Sequence, residues 1–276
     1  MNPNPLVSVI LPVYNGERHI AQSIQSVLAQ QHKNFELLII NDGSTDQSSA
    51  IIRLFPDTRI RYFEQENKGV SAARNVGLQN MQGDFFCFLD SDDCLTENSI
   101  SSRLLIFEKD GSVSFVDGKV KIFNKDLSAI INEWTPRFKG NPFRKMFLFS
   151  DKCFFGPTWL VKRLKDTPYK VEESLKYCED IMFYVSISRN GLYSYTNECI
   201  LHYRKHASSA MRSTAGIAGG FLNLREILSK NYPEFGLMSR FRFDLKTRKI
   251  VFLLLSRSGK WANGLAYALW GQVPLA

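Results

Sequence analysis

Residues 83–93 read GDFFCFLDSDD, an apolar run that ends abruptly in three carboxylates. The run at 85–89 shows no alternation of apolar and polar residues, which predicts a strand buried on both faces. Asp90, Asp92 and Asp93 follow it directly. Carboxylates this close raise one another's pKa unless a cation neutralises them, and Mg²⁺ or Mn²⁺ commonly binds such oxygen ligands. We therefore favour a metal site here over an acidic turn that only caps the next helix.

Strands and helices alternate on the N-terminal side of this run. Short apolar stretches predict strands at 6–13, 35–40 and 60–63, and helical periodicity predicts helices at 17–30, 46–55 and 70–79. This alternation implies βαβ units and a parallel sheet covered on both faces. Because ligands bind beyond the carboxyl ends of strands in such sheets, polar groups at those ends matter most. These groups are Tyr14-Asn15, Asn41-Asp42 and Asp90-Ser91-Asp92.

The pattern is less regular beyond residue 93. Helices are predicted at 97–109, 141–149 and 179–189, and strands at 112–123 and 192–203. Ala, Gly and Ser cluster at 213–220, which predicts a boundary before a helical C-terminal region. The chain from Phe221 holds nine Lys or Arg residues and three Asp or Glu residues, so most of the net charge of +8 lies there.

Composition narrows the class of protein. The chain has 276 residues, 44% of them apolar and 22% charged, which predicts a globular fold able to bury a sizeable core. Five scattered cysteines disfavour a disulfide framework and a zinc site. The first residues show no signal peptide, and the apolar run at 250–255 is far too short to span a membrane. We therefore expect a cytoplasmic protein and exclude secreted, fibrous and transmembrane classes.

Five sequence segments, taken together and in this order, are specific enough to indicate a protein family. They are SVILPVYN at 8–15, ELLIINDGSTD at 36–46, ENKGVSAARNVG at 66–77, GDFFCFLDSDD at 83–93 and CED at 178–180. With YRKHASS at 203–209, they resemble the family 2 inverting glycosyltransferases of the GT-A fold over about three quarters of the chain. The resemblance implies an α/β protein with a mostly parallel central sheet. It implies a domain at 1–215, with a Rossmann-like nucleotide-binding half at 1–93 and an acceptor-binding half at 94–215, followed by a basic helical region at 216–276.

The resemblance also implies roles for residues around the nucleotide sugar. Pro12 and Tyr14 would line the base pocket, and Asp42 would bond the base, usually uracil. The residues implied at the nucleotide, its sugars or its diphosphate are Asn67, Arg74, Asp90, Ser91, Glu179, Arg204 and Ser209. By themselves, Asn41 to Ser44 make only a turn and helix cap, so this part rests on the resemblance.

The remaining implied roles concern the chemistry. Asp92 would ligate Mn²⁺ or Mg²⁺, with His206 as a second ligand, and Asp180 would be the catalytic base. The implied activity is transfer of a sugar from a UDP-sugar to a hydroxyl of a saccharide or lipid-linked acceptor, by one inverting displacement. Cell-surface polysaccharide or glycolipid synthesis is the implied process.

Two other classes of function stay open. A nucleotidyltransferase would share a nucleotide site and an acidic metal cluster, but usually carries a Gly-rich, Arg-bearing loop where this chain has PVYNGE. A catalytically inactive carbohydrate-binding homologue is the other, and the complete set of Asp42, Asp90, Asp92 and Asp180 argues against it.

The basic C-terminal region has three interpretations. Basic residues beside apolar and aromatic ones are typical of a helix lying on the inner face of a membrane. A helical pair that packs its apolar face on the catalytic domain is equally compatible with the sequence. Nucleic acid is the weakest interpretation, because no binding motif accompanies the charge, and we expect none.

Overall fold

Four parallel strands form the first half of the sheet. The computed structural model describes residues 3–165, 167–205, 213–233, 235, 237–257 and 259–270. The four strands are β1 (Val7–Val13), β2 (Phe35–Asp42), β3 (Ile60–Gln65) and β4 (Phe85–Phe88). Their order is β3-β2-β1-β4. Every residue of β1, β2 and β4 is buried, as their mostly apolar sequences predict.

Three helices belong to this half, namely α1 (Ile20–Leu28), α2 (Ser48–Arg53) and α3 (Val70–Asn80). α1 buries Ile20, Ile24 and Val27, the face that its periodicity predicts. α3 packs on β1 and β2, where a Cβ atom at Gly77 would collide with the side chain of Ile10. The glycine therefore lets α3 approach the sheet closely.

The second half continues the same sheet. Its strands are β5 (Cys94–Leu95), β6 (Val113–Phe123), β7 (Ile130–Trp134), β8 (Leu160–Lys162) and β9 (Leu192–Arg204). The order continues β4-β8-β6-β9-β5, with β7 on the side of β6. The long strands β6 and β9 pair in parallel, and the short ones pair antiparallel. Its helices are α4 (Ser99–Lys109), α5 (Phe143–Phe147) and α6 (Glu179–Ile187).

The last part of the described chain is helical, as predicted. It forms α7 (Thr214–Asn231), α8 (Leu237–Arg257) and α9 (Trp261–Trp270). The predicted boundary at 213–220 stays a prediction. α7 begins within it at Thr214 and is capped by the Ser213 hydroxyl, which accepts a hydrogen bond from the Gly216 N–H. A Cβ at Gly216 or Gly220 would lie 2.6 Å from Tyr177 atoms, so the small residues allow close packing and do not make a linker. The predicted domain limit at 215/216 falls in the first turn of α7.

One face of the C-terminal helices belongs to the core. Phe243 of α8 is buried, and its ring centroid lies 4.5 Å from that of Phe147 and 5.3 Å from that of Phe149. Met238, Phe241 and Leu245 lie on the opposite side of α8 and are exposed. None of the helices in the described ranges is long and apolar enough to cross a membrane.

Candidate active site

Arg74 brings three of the predicted site residues together. It projects from α3, is 4% exposed, and donates from Nη1 to Glu179 Oε1 at 2.8 Å and from Nη2 to Asp90 Oδ1 at 3.0 Å. Burial alone lowers the pKa of Arg74, but the charges of Asp90, Glu179 and Asp180 outweigh it and raise that pKa. The guanidinium is therefore a permanent cation between the turn after β4 and the start of α6.

Asp180, the predicted base, lies in the first turn of α6. Burial, followed by the charge of Glu179, raises the pKa of Asp180 to about 7, while the charge of Arg74 and the Ile181 N–H oppose the shift. That N–H donates to Asp180 Oδ1 at 2.7 Å. A carboxylate whose pKa lies near neutrality accepts a proton far more readily than one near 4. The environment of Asp180 thus suits a general base.

The chain reaches α6 through a strained residue. Cys178 has a φ of 64°, in the left-handed region, which costs a residue other than glycine about 1 kcal/mol or more. Strained backbone of this kind is concentrated at functional sites. Burial, with the nearby charges of Asp180 and Glu179, raises the pKa of the Cys178 thiol well above its usual range. The thiol therefore stays protonated at neutral pH and does not serve as a nucleophile.

The acidic turn after β4 is fixed from two sides. The Ser91 carbonyl accepts a hydrogen bond from Ser23 Oγ at 2.8 Å, and the backbone N–H of Arg204 donates to Asp93 Oδ1 at 2.8 Å. Asp93 is buried, and burial together with the charges of Asp92 and Asp90 raises its pKa well above the usual value. Asp90 and Asp92 remain partly exposed. The turn thus presents two carboxylates outward and keeps the third inside.

Arg204 supports the acidic turn from the side of β9. Its side chain is 2% exposed, and its donors reach the Asp92 carbonyl at 2.8 Å, the Lys125 carbonyl at 2.7 Å and Gln22 Oε1 at 2.6 Å. The contact of Arg204 with the diphosphate, which the resemblance implies, stays a prediction. His206 and Ser209 lie outside the described residues.

The nucleotide side is built around Asp42, at the end of β2. Its Oδ1 accepts from Gln65 Nε2 at 2.7 Å and from the Lys68 N–H at 2.9 Å, and its Oδ2 accepts from the Gly69 N–H at 2.8 Å. Asp42 therefore holds the loop before α3, and its contact with a base stays a prediction. At the same sheet edge, Tyr14 is 52% exposed and Asn67 is exposed, whereas Pro12 is buried in β1.

The donor set of the acidic turn fits a divalent cation that is shared with a substrate. In the described part of the chain, no three His, Cys, Asp or Glu side chains are grouped closely enough to form a cage for a metal. Mg²⁺ and Mn²⁺ do not need such a cage, since one or two carboxylates plus phosphate oxygens suffice. Asp92 and Asp90 supply hard oxygen ligands, and the charges of both carboxylates help to raise the pKa of Asp93. The predicted metal ligand Asp92 thus has the right chemistry and exposure.

A cavity of about 920 Å³ opens beside these carboxylates. Asp90 and Asp180 line it, whereas Pro12, Tyr14, Asp42, Asn67 and Arg74 do not. Other residues that line the cavity were not predicted from the sequence, among them Arg103, Lys125, Ile131, Phe155 and Thr158. These residues lie in a stretch with no recognisable motif, so no pattern in the sequence could have pointed to them. Among the predicted site residues in the described part of the chain, Asp90 and Asp180 are thus the two that face this cavity.

A family model described as Glycosyl transferase family 2 matches residues 8–164. The chain belongs to this family. A glycosyltransferase of Rickettsia felis is 42% identical over 138 residues, which are 50% of this chain and 23% of that protein. Glycosyltransferase GlyG of Streptococcus pneumoniae is 26% identical over 271 residues, covering 92% of this chain and 88% of the relative. The chain thus spans about a quarter of the Rickettsia relative and most of GlyG.

A solved structure confirms the predicted fold class. TarS 1–349 of S. aureus, in complex with UDP-GlcNAc, superposes with a TM-score of 0.68 at 21% identity, over 97% of this chain and 81% of that one. At this identity the likeness establishes the α/β fold, with its mostly parallel central sheet and helical C-terminal part.

Proposed function

We propose that this protein transfers a sugar from a UDP-sugar to an acceptor hydroxyl with inversion at the anomeric carbon. The observation that carries the proposal is the placement of Asp180, with a pKa of about 7, next to the ion pairs of Arg74 with Glu179 and Asp90, at the mouth of a cavity. Membership of the family supports glycosyl transfer, and the UDP-GlcNAc bound to TarS supports a UDP-sugar donor.

The lining of the cavity supports a single displacement. Asp90 and Asp180 line the cavity, whereas Pro12, Tyr14, Asp42 and Asn67, the residues expected at the nucleotide, do not. An acceptor hydroxyl in the cavity would give its proton to Asp180 as its oxygen attacks the anomeric carbon. Attack from the side opposite the leaving diphosphate inverts the anomeric configuration. Arg74 donates a hydrogen bond to Glu179. We therefore assign Glu179 to positioning Arg74 and not to covalent nucleophilic attack.

Asp92, with Asp90 beside it, would hold Mn²⁺ or Mg²⁺. When bound, such an ion supplies positive charge close to the diphosphate, where negative charge develops as the bond to the sugar breaks. Asp90 already accepts a hydrogen bond from Arg74 through one of its oxygens. A contribution from His206 remains part of the proposal.

The test is a donor screen with UDP-, GDP- and dTDP-sugars, with and without Mn²⁺. Release of free UDP and an inverted product, observed by NMR of the anomeric proton, is the expected result. Release of pyrophosphate would instead indicate nucleotidyl transfer, and neither product with any donor would indicate a carbohydrate-binding protein without activity.

We also propose peripheral contact with the inner face of the membrane, in the service of cell-surface polysaccharide or glycolipid synthesis. Met238, Phe241 and Leu245 form an exposed apolar stripe on α8, with Arg242 and Lys249 exposed on the same side. An apolar stripe flanked by cations suits an anionic bilayer surface, to which each nearby Lys or Arg adds about 1 kcal/mol. We call these five residues the α8 stripe.

A further inference from the structure

The loops that follow β1 and β2 hold each other through reciprocal hydrogen bonds. Three successive N–H groups of the first loop donate to side chains of the second, that of Asn15 to Ser44 Oγ at 3.0 Å, that of Gly16 to Ser48 Oγ at 2.8 Å and that of Glu17 to Asp46 Oδ2 at 3.0 Å. In the opposite direction, the Thr45 N–H donates to Asn15 Oδ1 at 2.8 Å and the Gln47 N–H donates to Glu17 Oε2 at 3.0 Å. We call residues 15–17 and 44–48, joined in this way, the loop bridge.

Asp46 accepts hydrogen bonds from both loops. Its Oδ2 accepts from the Glu17 N–H, and its Oδ1 accepts from the Ser48 N–H at 2.9 Å. Burial tends to raise the pKa of Asp46, but the hydrogen bonds from Ser48 and from the Glu17 N–H outweigh burial and lower that pKa. Asp46 is therefore ionised at neutral pH and accepts through both oxygens, so the loop bridge is formed before any ligand binds.

Asn15 fixes the backbone next to Tyr14. Asn15 has a φ of 51°, in the left-handed region, which Asn tolerates better than most residues other than glycine. Its N–H, which donates to Ser44, belongs to the peptide group that joins it to Tyr14, and its Oδ1 accepts from Thr45. The Tyr14 side chain is half exposed at this point. The loop bridge therefore holds the main chain at Tyr14 and leaves part of the ring open to a ligand.

The loop bridge lies between the other loops at this edge of the sheet. On one side, Gly43 has a φ of 71°, and a Cβ atom there would lie 2.7 Å from the Asn67 nitrogen. On the other side, a Cβ atom at Gly16 would lie 3.3 Å from Ser91 Oγ in the acidic turn. The loops after β3, β2, β1 and β4 are thus packed in a row that follows the order of the strands, with the loop bridge at its centre.

We infer that Asn15, Glu17 and Asp46 are positioning residues for the nucleotide and act through Tyr14. They hold the loop that carries Tyr14 in one conformation before the donor arrives. A loop that must become ordered during binding lowers the affinity, and preorganisation removes that cost. This inference rests on the proposed function, since Tyr14 is expected at the nucleotide base. It gives the segments YNGE at 14–17 and STDQS at 44–48 a role beyond that of turns and helix caps.

Calorimetric titration of UDP with Mn²⁺ into the full chain tests the inference. Asn15→Gly tolerates the positive φ but removes the Oδ1 acceptor, so it should weaken UDP binding about three- to tenfold. Asp46→Ala, which removes an acceptor from both loops, should have a similar effect. Asn15→Asp keeps an acceptor and tolerates positive φ, so it should bind UDP within about twofold of the wild type. Asn141→Gly is the matched control, because Asn141 is also exposed and its Oδ1 also accepts from a backbone N–H, that of Phe143, and UDP binding should not change.

A double-mutant cycle shows whether Asn15 acts through Tyr14. Tyr14→Ala should weaken UDP binding about tenfold, which lies within the usual contribution of a base stacked on an aromatic ring. In the Tyr14→Ala protein, Asn15→Gly should weaken UDP binding by less than about twofold more, because the ring that Asn15 positions is gone. A residue that only stabilises the fold would have the same effect with and without Tyr14.

The inference is overturned if Asn15→Gly binds UDP as tightly as the wild type, or if its effect is the same in the Tyr14→Ala protein. An equal loss of affinity in the Asn15→Asp and Asn15→Gly proteins would also contradict it, because the first variant keeps the acceptor. The expected pattern in a protein that releases no UDP from any donor would leave the loop bridge assigned and refute the proposed transfer. A wild type that does not bind UDP would refute both.

Discussion

The guanidinium of Arg74 lies 2.8 Å from the carboxylate of Glu179, a contact that joins α3 to the start of α6 across 105 residues of chain. The same guanidinium also donates to Asp90, so residues of the predicted nucleotide-binding half and of the predicted acceptor half meet at one cation. Its Nε atom is buried and has no hydrogen-bond partner in the described ranges. A buried cation without a partner would destabilise the folded state strongly, whereas the two carboxylates stabilise it here.

Arg74→Gln should therefore destabilise the protein by about 3 kcal/mol, because it leaves two carboxylates without their cation. Chemical denaturation measures this free energy of unfolding. The matched control is Arg53→Gln, whose ion pair with Glu64 spans 3.8 Å between largely exposed side chains. That control should change the free energy by less than about 0.5 kcal/mol, and an equal loss in both proteins would contradict the importance of the Arg74 contacts.

The activity should depend on pH through Asp180. Only the ionised carboxylate accepts a proton, so kcat/KM should be low below pH 6, rise with pH, and level off above the pKa of about 7. The charge of Arg74 lowers this pKa, so the Arg74→Lys protein, which keeps the charge, should retain the wild-type pH profile even where its rate is reduced. A profile that is flat between pH 5 and pH 8 would contradict the assignment of Asp180 as the base.

Asp180→Asn keeps the size of the side chain but cannot take a proton. We expect transfer to fall by about 10²- to 10⁴-fold, the usual contribution of general-base catalysis, with UDP affinity little changed. The pKa of Asp180 is raised from 3.8 to about 7 in the folded state. The ionisation of Asp180 therefore lowers the free energy of unfolding as pH rises from about 4 to about 7, and the loss is complete above pH 7. The variant should accordingly be more stable than the wild type at pH 8 and not at pH 4. Proportionate losses of rate and UDP affinity would make Asp180 a binding residue instead.

Removing the Asp92 carboxylate from the acidic turn should weaken cation binding and leave the fold intact. Asp92→Asn is expected to abolish the Mn²⁺ dependence of donor hydrolysis and to weaken Mn²⁺ binding measured by electron paramagnetic resonance. The pKa of Asp93 should fall toward its usual value, because the charge of Asp92 helps to raise it. Asp110→Asn, a change at an exposed turn before β6, serves as control. Full activity of the Asp92→Asn protein in EDTA would exclude a metal role.

The α8 stripe should bring the protein to anionic vesicles. In a flotation assay at low salt, the wild type should float with phosphatidylserine vesicles and detach as salt rises, because exposed charges are screened. Phe241→Ser combined with Leu245→Ser should reduce floating, whereas Leu105→Ser, an equally exposed leucine on α4, should not. Point substitutions are preferable to truncation at Lys230, which would remove Phe243 from its contacts with Phe147 and Phe149. A wild type that ignores anionic vesicles at low salt would refute the membrane proposal.

Sequence patterns predicted those parts of the fold that local chemistry determines. β4 is an unbroken apolar run, and β1 and β2 are mostly apolar, with Ser8 and Glu36 as polar residues inside them. Runs of this kind have few alternatives to a buried strand. β7 escaped prediction because four of its five residues are exposed and its pairing with β6 is not encoded by an alternating pattern. β8 has only three residues, too few for a period to be recognised.

The same distinction applies to the site. Asp90, Asp92 and Asp180 could be proposed because each lies in a short local motif, and the structure places Asp90 and Asp180 at one cavity. The buried contacts of Arg204 could not be predicted, because they depend on β9 pairing beside β6, which is a property of the whole sheet. Lys125, Ile131 and Phe155 are brought to the site only by tertiary packing, so no local pattern could have identified them.

The bonds of Arg204 also have a consequence for protein synthesis. The turn at Asp92 emerges from the ribosome 112 residues before the arginine that holds it from behind, and Gln22 emerges 182 residues before. At about 5–20 residues per second, about 6–22 seconds separate the translation of Asp92 from that of Arg204. During that interval the nascent N-terminal half can hold the turn through Ser23 and Arg74 but lacks the bonds from Arg204. Nucleotide binding by the growing chain should therefore appear late, after β9 has been added to the sheet.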